Sequence, residues 1–267
     1  MAAIALPARA RRAGVAPVGP GVATLWLSIV VLLPIAAVLT KSLAGGPAGL
    51  WAAVTAPAAL SALALTVAVS ALVALINVGF GTLIAWVLVR DAFPGRGLVN
   101  AVIDLPFALP TIVASIVLLS LYGPRSPLGL DLYATRPALV VALLFVTLPF
   151  VVRSVQPVLT EVDREAEEAA VSLGASGWTT FRRVILPALC PALLGGAGLA
   201  FARAVGEFGS VVLIGGGIPH DTQVASQYIA QQIEIDRPQS AAAVSVALLA
   251  IALIVLLALR LVTPKEH

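Results

Sequence analysis

Long apolar runs without a single charged residue make up about half of the chain. They cover positions 13–40, 42–89, 137–152, 184–202 and 239–259. Several of these runs exceed the roughly 18 to 20 apolar residues that a helix needs to cross a membrane. They do not show the alternation of polar and apolar residues, in segments of about ten, that marks a membrane β-strand. The pattern therefore predicts an all-α, polytopic membrane protein.

Six membrane-spanning helices account for this pattern. We place them at about 22–41, 58–90, 98–122, 137–157, 188–214 and 239–262. Residues 22–262 then form one transmembrane domain between two short tails, 1–21 and 263–267. The second helix would be roughly 50 Å long, against a hydrocarbon core of about 30 Å, so it must tilt, bend or protrude.

Glycine and proline mark places where two of these helices depart from straight rods. In the second span, Gly79 and Gly81 are candidate points of bending or close packing. In the third span, Pro106 and Pro110 predict a bend, because proline cannot donate a backbone hydrogen bond.

The composition supports a membrane protein and argues against a nucleic-acid-binding one. Hydrophobic residues make up 60% of the chain and charged residues only 11%, with a mean hydropathy of +1.05. Soluble domains carry roughly 25% charged residues. The net charge is +3, but the basic residues form no dense run and lie beside the ends of apolar spans. Cys190 is the only cysteine, which excludes an intrachain disulfide and a multi-cysteine metal site. We expect no bound metal and no nucleic-acid partner.

Basic residues in the short loops predict the orientation, because cytosolic loops carry an excess of Lys and Arg. With the N-terminus inside, the cytosolic side would hold Arg9, Arg11, Arg12, Arg90, Arg96, Arg153, Arg164, Arg182, Arg183, Arg260 and Lys265. The outer side would hold Lys41, Arg125, Arg136 and Arg237. We therefore expect both termini and the loop 160–187 to lie in the cytosol.

The loop 160–187 concentrates the charge of the chain. The chain has 16 basic and 13 acidic residues, and eight of these lie between Glu161 and Arg183. Thr160 is a candidate cap for a first short helix, and Gly174 fits a left-handed stop at its end. Ser176 is a candidate cap for a second short helix. Such a loop favours docking to a soluble protein. An amphipathic helix on the bilayer is disfavoured, because an anionic leaflet would repel its five carboxylates.

Helical spacing predicts two stripes on the first short helix. The apolar stripe comprises Val162, Ala166, Ala169 and Leu173, and the acidic stripe comprises Glu161, Glu165 and Glu168. Because the apolar stripe consists mostly of small residues, a partner groove could approach the helix backbone closely.

Two ionisable residues, Arg203 and Glu207, lie one helical turn apart inside the predicted fifth span. Ionisable residues at such depth usually face the protein interior or a water-filled path. Two interpretations stay open: a structural pair, or an element of an anion path or its gate. In the second case, Arg203 would offset the charge of a passing oxyanion through a transient contact.

The charged loop resembles a motif of a known family. Its residues Glu168-Ala169-Ala170, Gly174, Val184 and Leu186-Pro187 are similar in type and spacing to the EAA loop of bacterial ABC-importer permeases, in which isoleucine is usual at the position of Val184. The segments IDLPFALPT at 103–111 and RAVGEFGS at 203–210 resemble sulfate and molybdate permeases. The segments PFVVRSVQPVL at 149–159 and IDRPQSA at 235–241 resemble the sulfate branch. Over residues 60–262 the chain is thus similar to sulfate/thiosulfate permeases of the CysT type.

The resemblance implies a type I ABC importer permease fold with six transmembrane helices, in the lipid of the bacterial plasma (inner) membrane. It implies that this chain and a second permease of the CysW type form the path for sulfate or thiosulfate. It further implies a dimeric ABC ATPase on the cytosolic side and an extracytoplasmic sulfate-binding protein on the other. The residues that would couple the permease to the ATPase are Glu168, Ala169, Ala170, Gly174, Leu186 and Pro187. The candidates for the translocation path are Arg203 and Glu207.

The chain is not expected to hydrolyse ATP itself. Its only lysines are Lys41 and Lys265, and neither ends a glycine-rich phosphate loop. We therefore expect that this chain is not an enzyme and binds no cofactor, with ATP used by the partner ATPase.

Other functions stay open at this point. Within the same class, the substrate could be molybdate or tungstate. A stand-alone secondary transporter would show functional charges in several spans and inverted repeats. A membrane scaffold without transport would give no reason for two ionisable residues inside a span.

Overall fold

The computed structural model describes residues 18–262, and within that range every regular element is helical. The helices are α1 (Val18–Leu27), α2 (Leu33–Ser42), α3 (Gly46–Val54), α4 (Pro57–Arg90), α5 (Arg96–Ala108), α6 (Thr111–Tyr122), α7 (Arg136–Glu161), α8 (Arg164–Ser172), α9 (Gly177–Thr180), α10 (Leu186–Val205), α11 (Gly209–Val212), α12 (Ala225–Glu234) and α13 (Pro238–Val262). Two π-helical turns, Ser28–Leu32 and Phe181–Ile185, join α1 to α2 and α9 to α10. The predicted all-α class is confirmed. Of the two predicted tails, only residues 18–21 lie in the described range, and they are helical.

Within residues 18–262, five helical stretches are long and apolar enough to cross a membrane. They are Gly19–Ser42, Pro57–Arg90, Arg136–Glu161, Gly177–Val205 and Pro238–Val262. These correspond to the first, second, fourth, fifth and sixth predicted spans. Three boundaries in the prediction were wrong: the fourth span continues to residue 161, and the helix of the fifth runs from residue 177 to 205, not from 188 to 214.

The third predicted span is broken. Helices α5 and α6 are bent by 114° relative to each other. The predicted bend is present, but it separates two helices, so the prediction of a single bent helix was wrong. Leu109, between the two helices, is extended (φ −87°, ψ 133°), which is the conformation that a following proline imposes. Pro110, the N-cap of α6, has no N–H with which to continue the hydrogen bonds of α5.

The broken pair nevertheless belongs to a membrane crossing. Asn77 Nδ2 of α4 donates to Thr147 Oγ1 of α7 at 2.8 Å, and one turn later Gly81 packs on Val151. Because both contacts advance along both helices, α4 and α7 run in the same direction. The chain between them, residues 91–135, must return across the bilayer, and it contains α5 and α6. The fold thus retains six crossings.

Helix α7 lies at the centre, between α4 and α10. Val151 is fully buried. A Cβ added to Gly81 would meet Val151 Cγ1 at 2.9 Å, and one added to Gly196 of α10 would meet the Val151 Cα at 3.1 Å. A Cβ on Gly79 would meet nothing within 4 Å. Close packing, one of the two predicted roles, therefore applies at Gly81 but not at Gly79.

Candidate functional site

The first short helix of the charged loop, α8, is capped by Asp163. Its carboxylate accepts from the Glu165 backbone N–H at 2.8 Å. Thr160, the predicted cap, belongs together with Glu161 to the end of α7, so that prediction was wrong. The chain leaves the helical conformation only at Val162 (φ −59°, ψ 122°), which leaves Asp163 as the first side chain able to cap the next helix.

Gly174 ends α8 in the left-handed conformation, with φ +87°, as predicted. The Gly174 N–H donates to the Val171 carbonyl at 2.9 Å, and the Ala175 N–H donates to the Ala170 carbonyl at 3.0 Å. This pair of bonds is the Schellman motif, which satisfies the last carbonyls of a helix. The turn therefore fixes the direction in which the chain leaves α8.

The second short helix merges into the fifth span. Ser176 caps it, as predicted, by accepting from the Thr179 backbone N–H at 3.3 Å. Helix α9, the π turn and α10 then form the continuous stretch Gly177–Val205. Pro187 cannot donate to the carbonyl of Arg183, four residues earlier, and the π turn lies at this position.

A cluster of aromatic and charged side chains fixes α8 to the end of α4. Glu167 forms an ion pair with Arg90, whose side chains are 21% and 12% exposed. The Arg90 guanidinium lies 5.6 Å from the Trp86 ring centroid. Trp86 meets the edge of Phe181 with ring centroids 5.8 Å apart, and Trp178 stacks on Phe181 at 5.7 Å. The Glu167–Arg90 pair ties the charged loop to α4, and salt screens such a half-buried pair less than an exposed one. The aromatic contacts join α4 to the π turn that leads into α10.

The side of α8 that faces away from this cluster is exposed. Glu168, Ala169 and Gly174 are exposed, and Ala170 is half-buried. Leu173 is 89% exposed and Trp178 is 70% exposed. Of the predicted apolar stripe, Ala166, Ala169 and Leu173 share this exposure, while Val162 packs against α7 instead. The acidic stripe likewise loses Glu161, which lies in α7.

A cleft of about 860 Å³ opens between α8, α9 and the end of α4. Val171, Trp178 and Phe181 supply apolar walls, and Glu167 and Glu168 line its acidic side. Leu186 and Pro187, predicted to act with the α8 residues, are exposed at the start of α10, where the buried Ile185 lines the cleft instead. Exposed apolar side chains beside such a cleft mark a surface that another protein can cover.

The other predicted site residues, Arg203 and Glu207, form an ion pair between Nη1 and Oε2. Arg203 lies in the last turn of α10, whereas Glu207 follows the helix and is 3% exposed. Glu207 Oε1 also accepts from the Ser210 backbone N–H at 2.8 Å. A structural pair was one of the two interpretations left open from sequence; the end of the helix between its two members was not predicted. Because the Glu207 carboxylate accepts from a backbone N–H in the first turn of α11 and also pairs with Arg203, it links the end of α10 to the start of α11.

The sequence analysis did not predict a second polar cluster, which lies between α5 and α7. Arg153 of α7 makes a bidentate contact with Asp104 of α5, at 2.8 Å and 2.5 Å, and also donates to the side chains of Asn100 and Gln156. Arg153 lies eight residues before the end of α7, about 12 Å along the helix. The sequence placed it at a helix end because the true end of α7 was not recognised.

Comparison with known proteins identifies the family. Residues 77–266 match the family of binding-protein-dependent transport system inner membrane components. The chain belongs to this family. It is 45% identical over 242 residues to the probable sulfate transport system permease protein cysT of Nephroselmis olivacea, with 88% of this chain and 85% of that protein covered. It is 41% identical over 238 residues to the sulfate transport system permease protein CysT of Escherichia coli (strain K12), with 86% of each covered.

Solved structures of ABC transporters share the fold. A chain of a bacterial alginate ABC transporter, in complex with an alginate pentasaccharide-bound periplasmic protein, superimposes with a TM-score of 0.75 at 17% identity, over 94% of both chains. A chain of the MetNI methionine ABC transporter in an inward-facing conformation gives a TM-score of 0.59 at 20% identity, over 76% of this chain and 94% of that one. The type I ABC importer permease fold predicted from sequence is therefore confirmed.

Proposed function

We propose that this permease carries sulfate, and by the same path thiosulfate, into the cell as one subunit of an ATP-driven importer. The observation that supports the substrate is the 41–45% identity to proteins named as sulfate transport permeases, which extends over 86–90% of this chain. Identity of this extent includes both the helices around the ion pairs and the charged loop.

The charged loop supports coupling to a dimeric ABC ATPase. Glu168, Ala169, Ala170 and Gly174 present a largely exposed surface, and Leu186 and Pro187 lie exposed at the start of α10. ATP would be bound and hydrolysed by the ATPase, and this chain would hold no cofactor. Because the continuous helix Gly177–Val205 is about 42 Å long, a displacement of the loop is transmitted to the Arg203–Glu207 pair at its far end.

The remaining assignments follow from the same proposal. The loop and both termini would lie in the cytosol, and the membrane would be the bacterial plasma membrane. A second permease of the CysW type would complete the path, and a sulfate-binding protein would dock on the side opposite α8. Arg203, one-third exposed, would contact the oxyanion transiently as it passes.

The test is reconstitution of this chain with its ATPase, partner permease and binding protein in liposomes, followed by uptake of radiolabelled sulfate. We expect uptake that requires ATP and that unlabelled thiosulfate suppresses more strongly than molybdate does. Preferential suppression by molybdate would assign the permease to molybdate or tungstate instead. Accumulation by this chain alone, without the ATPase, would identify a secondary transporter and contradict the proposal.

A matched pair of variants tests the path. Arg203→Gln should lower sulfate uptake at least tenfold without changing complex assembly, while Arg203→Lys should retain part of it. Arg136→Gln is the control, because Arg136 pairs with Asp221 at an exposed position outside the helix core. Equal uptake by Arg203→Gln and wild type would remove Arg203 from the path.

A further inference from the structure

A groove runs along the interface between the first membrane helix and the last. It consists of two cavities of about 380 Å³ and 230 Å³ between α2 and α13, and Ile229 and Ile233 of α12 also line the larger one. Val38 and Ser245 line both cavities, so the two lie next to each other along the helices. The groove opens on the outside of the helix bundle, where exposed side chains such as Leu39 and Leu249 are apolar.

The chemistry of the groove changes along its length. The cavity nearer the middle of the helices is lined by Pro34, Ile35, Leu39 and Leu249, among other apolar side chains. Among the residues that the structure describes, Lys41 is the only charged one that lines the cavity nearer the helix ends. None of the ion pairs formed within residues 18–262 includes Lys41. The groove is therefore apolar along most of its length and ends beside one cation, Lys41, that takes part in none of these ion pairs.

The length of the groove matches one leaflet of a bilayer. Its lining on α13 extends from Pro238 to Leu249, about 16 Å along a helix. Half of a hydrocarbon core of about 30 Å is about 15 Å. Pro238 starts α13 and Lys41 lies in the last turn of α2, so the cation stands at the level where headgroups begin.

The chemistry of the groove points to its occupant: an apolar tail matches its apolar length, and an anionic group complements Lys41 at its end. A single acyl chain is narrow enough to enter. We propose that the groove binds one acyl chain of an anionic phospholipid, with the phosphate of its headgroup beside Lys41. The lipid would fill the gap between α2 and α13 and hold the first helix against the bundle.

Native mass spectrometry of the purified full-length chain tests this proposal. The protein is equilibrated with mixed micelles that contain equal amounts of phosphatidylglycerol and phosphatidylcholine, and the retained lipids are counted. We expect one tightly held lipid per chain, with at least a fivefold preference for phosphatidylglycerol. Lys41→Gln should abolish the preference. Val38→Trp should abolish retention itself, because the indole would fill the junction of the two cavities.

Two controls separate this site from general effects. Arg237→Gln removes a charge next to the start of α13 from a residue that lines neither cavity, and should leave the preference unchanged. Val31→Trp places the same bulk at a lipid-facing position, since Val31 is 41% exposed and Val38 is 39% exposed. Should Val38→Trp fail to give a monodisperse protein, Val38→Phe replaces it.

Three results would overturn the proposal. The first is an unchanged preference in Lys41→Gln, and the second is an equal loss in Arg237→Gln. The third is a wild-type protein that retains no lipid. If that protein also forms crosslinks from the groove to the partner permease, the groove is a subunit interface instead.

Discussion

The left-handed turn at Gly174 offers the sharpest test of the proposed coupling surface. A Cβ added at Gly174 would meet nothing within 4 Å, so Gly174→Ala creates no clash. Its whole cost arises from the φ of +87°, and a left-handed conformation costs an alanine about 1–2 kcal/mol. Since each 1.4 kcal/mol is a factor of ten, the native turn would be populated roughly 5 to 30 times less relative to competing conformations.

The assay is the ratio of sulfate taken up to ATP hydrolysed by the reconstituted complex. We expect this ratio to fall severalfold in Gly174→Ala, because the chain no longer leaves α8 in one fixed direction. The ratio for Gly174→Asn should lie between those of the wild type and Gly174→Ala, since asparagine tolerates the left-handed region better than alanine does. Gly177→Ala is the matched control: it lies in the same loop, also has nothing within 4 Å of an added Cβ, and has an ordinary negative φ. A wild-type ratio in Gly174→Ala, or an equal loss in Gly177→Ala, would refute the reasoning.

Three further predictions concern binding and stability. Trp178→Ala should leave folding intact, because the side chain is 70% exposed, but should weaken ATPase binding at least tenfold in a titration of the detergent-solubilised permease. Gly81→Ala should lower the melting temperature by the equivalent of about 1–3 kcal/mol through overpacking, and Gly79→Ala should not; equal melting curves would contradict the packing argument. Burial raises the pKa of the Tyr228 phenol above 10, although Arg237 opposes this effect. Its contribution to stability is therefore complete below pH 10 and is lost as the pH rises towards the raised pKa, a loss that Tyr228→Phe should remove from alkaline melting curves.

Local chemistry allowed much of the charged loop to be predicted. A glycine after a run of helix formers and a serine before another short helix are signals that act within a few residues. Both Gly174 and Ser176 adopt the conformations that these signals predict. The cap at Thr160 failed for a different reason. A possible cap acts only where a helix has already ended, and the end of α7 depends on its packing against α4 and α10.

The contacts that position the loop could not be predicted from local pattern. Glu167 and Arg90 are 77 positions apart, and Arg153 and Asp104 are 49 apart, so nothing in the neighbouring sequence indicates either pair. Trp86 and Arg90 do lie one helical turn apart, which is a weak signal that α4 presents a polar–aromatic face at its end. That signal gains meaning only once the loop is known to fold back onto it.

These contacts determine how a displacement of α8 would spread through the molecule. On one side the loop continues covalently, through the Gly174 turn, into the helix Gly177–Val205. On the other side it is held to α4 by the Glu167–Arg90 pair and the aromatic cluster. Helices α4 and α10 both pack on α7, where glycines bring the backbones so close that independent sliding would force Val151 against one of them. A force on α8 would therefore move α4, α7 and α10 together. The remaining point of flexibility is the break after Val205, across which Arg203 and Glu207 form their ion pair.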